Sequence, residues 1–99
     1  MKKKGFYDAL LTRARLLISD MERIGCVGFD LRAEGLVSEN AAFDIAGSAD
    51  CIIVLLRELV SACQHALDIV DRKAYSVPLS DYEAKLICRM AESFDVELE

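Results

Sequence analysis

The sequence has no tryptophan, one proline, one histidine and only five glycines in 99 residues. Sheet proteins reverse direction often and need glycine, proline and asparagine to do so, so this scarcity predicts an all-α fold. No CxxC spacing occurs among Cys26, Cys51, Cys63 and Cys88, which removes zinc-ribbon and dithiol redox motifs. Three of the four lie in apolar helical patterns, where cysteine behaves as a small buried hydrophobe, so they read as reduced thiols. Long apolar runs are also missing. Residues 51–56 end at Arg57 and Glu58, far short of the roughly 20 residues that span a bilayer. The start MKKKGFYDALLTRARLL is positive, but Asp8, Arg13 and Arg15 interrupt any signal-peptide core. These features together predict a cytoplasmic protein with no membrane association.

Groups for chemistry are equally scarce. His65, the only histidine, lies two residues from Cys63, and such neighbours point about 200° apart on a helix, so they cannot share a metal. Asp68 lies one turn on and predicts an exposed His–Asp pair. Gly25, Gly28 and Gly35 read as turns, because no lysine-serine or lysine-threonine pair follows them as a phosphate loop requires. The carboxylates from Asp20 to Asp44 lack an EF-hand spacing and read as surface charge. No catalytic, cofactor-binding or metal residue is assigned, and the chain is expected not to be an enzyme.

What is present is apolar and helical. Hydrophobic residues make up 54% of the chain. Leu10, Ala14, Leu17, Met21 and Ile24 recur at three and four, predicting a helix over about 6–24 that Gly25 ends. Residues 25–37 read as a connector, with Val27, Phe29 and Leu31 alternating as in a short strand or extended segment at 26–32. Ser38 then offers an N-cap for a long helix over about 39–72. Its seam, Ala42, Ile45, Ala49, Ile52, Leu56, Leu59, Cys63, Ala66 and Val70, keeps one heptad phase through Gly47 and Ser48, so continuity is favoured over a break there. Ala42, Ala46, Gly47, Ser48 and Ala49 form a small-residue patch suited to close helix packing. A connector at 73–79 leads to Ser80 and Glu83, a capping-box spacing that opens a helix over about 80–94, with an acidic tail at 95–99.

The long helix is apolar over more than half its circumference, which predicts neighbours on several sides. At about 50 Å it exceeds what a compact globule of this length, with a radius of gyration near 13 Å, can enclose. The architecture expected is a single domain, a bundle of three main helices around one long central helix, completed by homodimerisation. Its interface with a second copy or another protein is placed on Ala42, Ile45, Ala46, Gly47, Ala49, Ile52, Leu56 and Leu59.

Net charge is −5, so direct nucleic-acid binding is not expected. Residues 1–24 hold six bases and three acids, residues 25–50 one base and five acids, and residues 80–99 two bases and six acids. The first functional expectation is a non-enzymatic interaction protein that binds and regulates or inhibits a macromolecular partner. The alternative is an acidic mimic of nucleic acid, of the phage anti-CRISPR or anti-restriction kind, using Asp30, Glu34, Glu39, Asp44, Asp50, Glu92 and Asp95. A small DNA-binding regulator is a remote third, since an acidic tail and not a basic recognition helix follows the third helix.

Overall fold

The computed structural model describes residues 2–71 and 77–96. Two helices of equal length, α1 (Lys2–Ala33) and α2 (Glu39–Val70), fold back on each other as a hairpin. A short third helix, α3 (Asp81–Ser93), lies over the open end of that hairpin. Among the described residues there is no strand. The connector at 73–79 and the tail at 95–99 lie partly outside the described residues.

Local chemistry sets the helix ends. The Ser38 hydroxyl accepts from the Ala41 amide at 3.1 Å and Glu39 sits in the first turn of α2. The Ser80 hydroxyl accepts from the Glu83 amide at 3.1 Å while the Glu83 carboxylate accepts from the Ser80 amide at 3.0 Å, the reciprocal box its spacing predicts. α1 ends where Gly35 takes a left-handed φ of 76°. The Gly35 amide then bonds Arg32 O and the Leu36 amide bonds Leu31 O, both at 2.9 Å, which satisfies the last carbonyls.

The connector expected at 25–37 and the strand at 26–32 are both overturned, because α1 runs through Gly25 and Gly28 to Ala33. The alternation that imitates a strand has another cause. Gly28 is buried against α2, while Val27 and Phe29 flank it and remain exposed, as residues about 200° apart on a helix must when the one between faces the neighbour. A Cβ on Gly28 would stand 3.3 Å from Ala42 O and from two atoms of Ile45, whereas one on Gly25 would meet Ala49 Cβ at 3.8 Å. The small-residue patch of α2 therefore receives glycines of α1.

α2 is continuous through Gly47 and Ser48, as its unbroken heptad phase predicts, and ends at Val70. Gly47 faces open space, and a Cβ added there would meet nothing within 4 Å, so this glycine serves no close contact in the chain. Gly47→Ala is accordingly expected to stabilise the fold by about 1 kcal/mol through helix propensity alone, a rise of roughly 4–8 °C in a thermal melt for a domain of this size.

One chain covers the long helix only in part, since Phe43, Ile52, Val54 and Leu55 remain exposed. α1 is as long as α2 and lies along it, giving a molecule of 54 × 23 × 18 Å with a radius of gyration of 16.8 Å. The buried stripe of α2 reports its neighbours. Toward the hairpin loop, where only α1 covers it, the stripe is narrow: Ala42, Ala49 and Ile53. Toward the open end, where α3 joins, it widens to Leu59, Ala62, Cys63 and Ala66, which pack with Phe6, Leu10, Leu11 and Ala14 of α1 and Leu86, Ile87 and Ala91 of α3.

Candidate interaction surface

Polar contacts hold α3 at both ends. Its first turn is tied to α2 by Glu83, which meets His65 Nδ1 at 2.9 Å, and by the Tyr82 hydroxyl, which donates to Glu58. At its last turn the Arg13 guanidinium of α1 donates to Phe94 O at 3.2 Å. A helix of 13 residues is about 20 Å long, against about 48 Å for each arm of the hairpin. The remainder of the same face is bare.

Helical phase identifies that bare remainder. Phe6, in the cleft beside α3, and Ile24 are 18 residues apart, about five turns, and so lie on the same side of α1. His65 and Gly47 stand in the same relation on α2. Continuing past α3, an apolar groove of about 340 Å³ opens between the two long helices, lined by Met21, Ile24, Asp44, Ile45, Ser48, Ala49 and Ile52. Val27 and Leu55, one turn from Ile24 and Ile52, are also exposed. On the tip of the hairpin Phe29 and Phe43 meet edge to face across the helices, with ring centroids 5.5 Å apart.

The expected interface residues divide between core and surface. Ala42, Leu56 and Leu59 are buried in the chain's own packing, so they are not available to a partner in this fold, and Ala49 is 3% exposed at the floor of the groove. Ile45 and Ala46 are half-buried, and Gly47 and Ile52 are exposed. Only Ile45, Ala49 and Ile52 contribute to the groove. The expected acidic surface divides as well. All seven of its carboxylates are exposed, but Asp30, Glu34, Glu39, Asp44 and Asp50 belong to the hairpin tip, whereas Glu92 and Asp95 belong to the end of α3. Residues 18–55 hold seven acids and two bases, which is the whole net charge of −5. Among the described residues only Asp20, with Arg23, and Glu39, with Arg32 at 3.4 Å, have a cationic partner there.

Glu92 and Asp95 border a second cleft of about 600 Å³, walled by Phe6, Tyr7, Leu79, Ile87, Cys88 and Val96. Of the cysteines only Cys63 is buried, and burial pushes its thiol up to about 11, which suppresses the reactive thiolate. Cys26, Cys51 and Cys88 are exposed, contrary to the apolar setting the sequence suggests for Cys51 and Cys88. Cys26 and Cys51 lie on open helix faces, and Cys88 opens onto the cleft beside Phe6 and Tyr7. No cluster of three or more metal-ligating side chains occurs among the described residues, and no helix there is long and apolar enough to cross a membrane.

His65 differs from its expected pairing with Asp68 alone. Nδ1 faces the Glu83 carboxylate and Nε2 faces Val77 O; only the imidazolium has two N–H donors to satisfy both. The Glu83 hydrogen bond and then the Val77 carbonyl raise its pKa above the ordinary 6.5, with Asp68 adding a smaller upward pull. Glu83 is held below the ordinary 4.5 by the Ser80 backbone and then by His65. A raised histidine contributes stability in full below 6.5 and loses it as pH climbs through the raised value. A depressed glutamate contributes in full above 4.5 and loses it as pH falls through the lowered value. The attachment of α3 is therefore expected to be firmest between these two ordinary values. Melting temperature should decline on the alkaline side of this window, and His65→Gln should flatten that decline.

No protein-family model, curated protein or solved structure matches the chain.

Proposed function

We propose that this chain is a non-enzymatic interaction protein that uses the uncovered groove at the tip of its hairpin to bind another macromolecule and so regulate it. The observation that carries this reading is the mismatch in helix length: α3 covers part of the hairpin face and leaves Ile24, Ile52 and Leu55 exposed beside the groove. Contiguous apolar surface rimmed by polar groups marks an interaction site. The long helices supply a rigid frame for it.

Homodimerisation is one way to cover the groove, and light scattering on the purified protein measures it directly. The test of the wider reading compares wild type with Ile24→Asp and Ile52→Asp as bait for cellular partners. A partner captured by wild type and lost from both variants, with helicity unchanged, supports the groove. Equal capture by all three overturns it. The acidic-mimic reading draws on the concentration of charge in residues 18–55. It requires DNA or RNA to compete for the same partner, and indifference to nucleic acid would dismiss it.

A further inference from the structure

We propose that the cleft between α1 and α3 binds a small organic cation, an amine carried on a flat apolar body. The body lies against Phe6, Tyr7 and Ile87, and the ammonium meets Glu92 and Asp95. This site is separate from the groove at the hairpin tip and does not depend on it.

Size and lining set the class of ligand. The cleft holds about 600 Å³, within the roughly 300–1,000 Å³ of small-molecule sites, and is larger than the 340 Å³ groove. Its floor is apolar and firmly held, because Phe6, Ile87 and Ala91 are buried in the core that joins all three helices. Leu79, which precedes α3, and Val96, which follows it, add apolar walls. Phe6 and Tyr7 stand edge to face with ring centroids 5.3 Å apart. Aromatic walls of this kind receive flat apolar bodies and attract cations through their faces.

Charge at the cleft itself sets the sign. Glu92 and Asp95 are its only charged lining among the described residues, and neither has a cationic partner there. Both stand at the C-terminal end of α3, where the negative end of the helix dipole also favours a cation. Bases on the surrounding turns are engaged elsewhere: Lys4 pairs with Asp71 at 3.7 Å, and Arg13 donates to Phe94 O at 3.2 Å. Lys85 and Arg89 line a separate depression on the outer side of α3, which Glu92 also borders. Tyr7 stays a neutral phenol, since burial and then the Cys63 and Cys88 thiols raise its pKa above the ordinary 10.0. An anion entering the cleft meets two carboxylates, whereas an ammonium gains both.

The experiment uses the full chain and three probes that share one ring system: naphthylethylamine, naphthylethanol and naphthylacetate. Amide chemical shifts of isotope-labelled protein, followed through a titration, report affinity and place together. The amine is expected to bind at least tenfold more tightly than the acetate, with the alcohol between them and the largest shifts at Phe6, Tyr7 and residues 84–96. Two variants separate charge from shape. In Glu92→Gln combined with Asp95→Asn, the advantage of amine over alcohol should fall to twofold or less while the alcohol binds as before. Asparagine tolerates the left-handed φ of 54° that Asp95 holds, so the end of α3 is kept. Cys88→Phe places a ring in the cleft from its exposed wall and should weaken amine and alcohol alike by at least tenfold. An acetate that binds as well as the amine, or an amine preference that survives in the double variant, overturns the proposal. So does binding that Cys88→Phe leaves unchanged, or a set of shifts centred on Ile24, Ile45 and Ile52, which assigns the cation to the hairpin tip. Absence of binding by all three probes at millimolar concentration overturns it as well.

Discussion

Leu56→Asp is expected to unfold the chain, whereas Ile52→Asp, one helical turn away, is expected to leave it folded. Leu56 is 1% exposed and packs in the cluster that joins all three helices. Removing it costs about 2–5 kcal/mol in transfer and cavity energy, and the buried carboxylate adds several kcal/mol of uncompensated desolvation. The sum approaches the roughly 5–15 kcal/mol that typically holds a domain together. Ile52 is 41% exposed, so its replacement removes only part of one side chain's burial, about 1 kcal/mol. Circular dichroism during a thermal melt reads both outcomes. A cooperative melt of Leu56→Asp near the wild-type temperature would show that the core is not where the packing puts it.

The second large effect is expected at Gly28. A Cβ there would stand only 3.3 Å from a backbone oxygen of α2, and backbone cannot swing aside as a side-chain tip can. Gly28→Leu should therefore cost about 1–3 kcal/mol through overpacking, even though leucine is the better helix former by nearly 1 kcal/mol. Alanine balances the two effects more closely, and Gly28→Ala should lie near wild type. Gly47→Leu supplies the control, since open space surrounds that position and propensity acts there alone. If Gly28→Leu melted at the wild-type temperature, the approach of α1 to α2 would have to be set elsewhere.

These contrasts mark where sequence reasoning succeeds and where it stops. The caps at Ser38 and Ser80 are legible because their partners lie within three residues. The continuity of α2 is legible because a heptad phase spans Gly47. The length of α1 is not, since glycine at 25 imitates a stop and the run from Val27 to Leu31 imitates a strand; only the neighbouring helix shows that Gly28 is the buried position. Ile52 and Leu56 belong to one heptad seam, and Ala49 before them and Leu59 after them are buried, but Ile52 lies on the side of α2 that α3 does not reach. In the middle of α2 the burial falls on Ile53 instead of Ile52. Glu83, 18 residues from His65, cannot be chosen over Asp68 without the placement of α3. The groove is hidden for the same reason, because it is defined by how far α3 reaches and only partly by the residues that line it.

The shortness of α3 also divides the molecule mechanically. At the braced end three helices share one interdigitated core, so any relative movement disturbs many contacts at once. At the tip α1 and α2 are joined by residues 34–38 and meet through Gly25 and Gly28 against Ala42, Ile45 and Ala49, with Phe29 on Phe43 and Arg32 beside Glu39. Fewer side chains interdigitate there than where three helices meet, and the loop holds the two long helices together. The side chains that wall the groove therefore have fewer packing neighbours than those of the three-helix core, and they can adjust to an incoming side chain while the core stays closed.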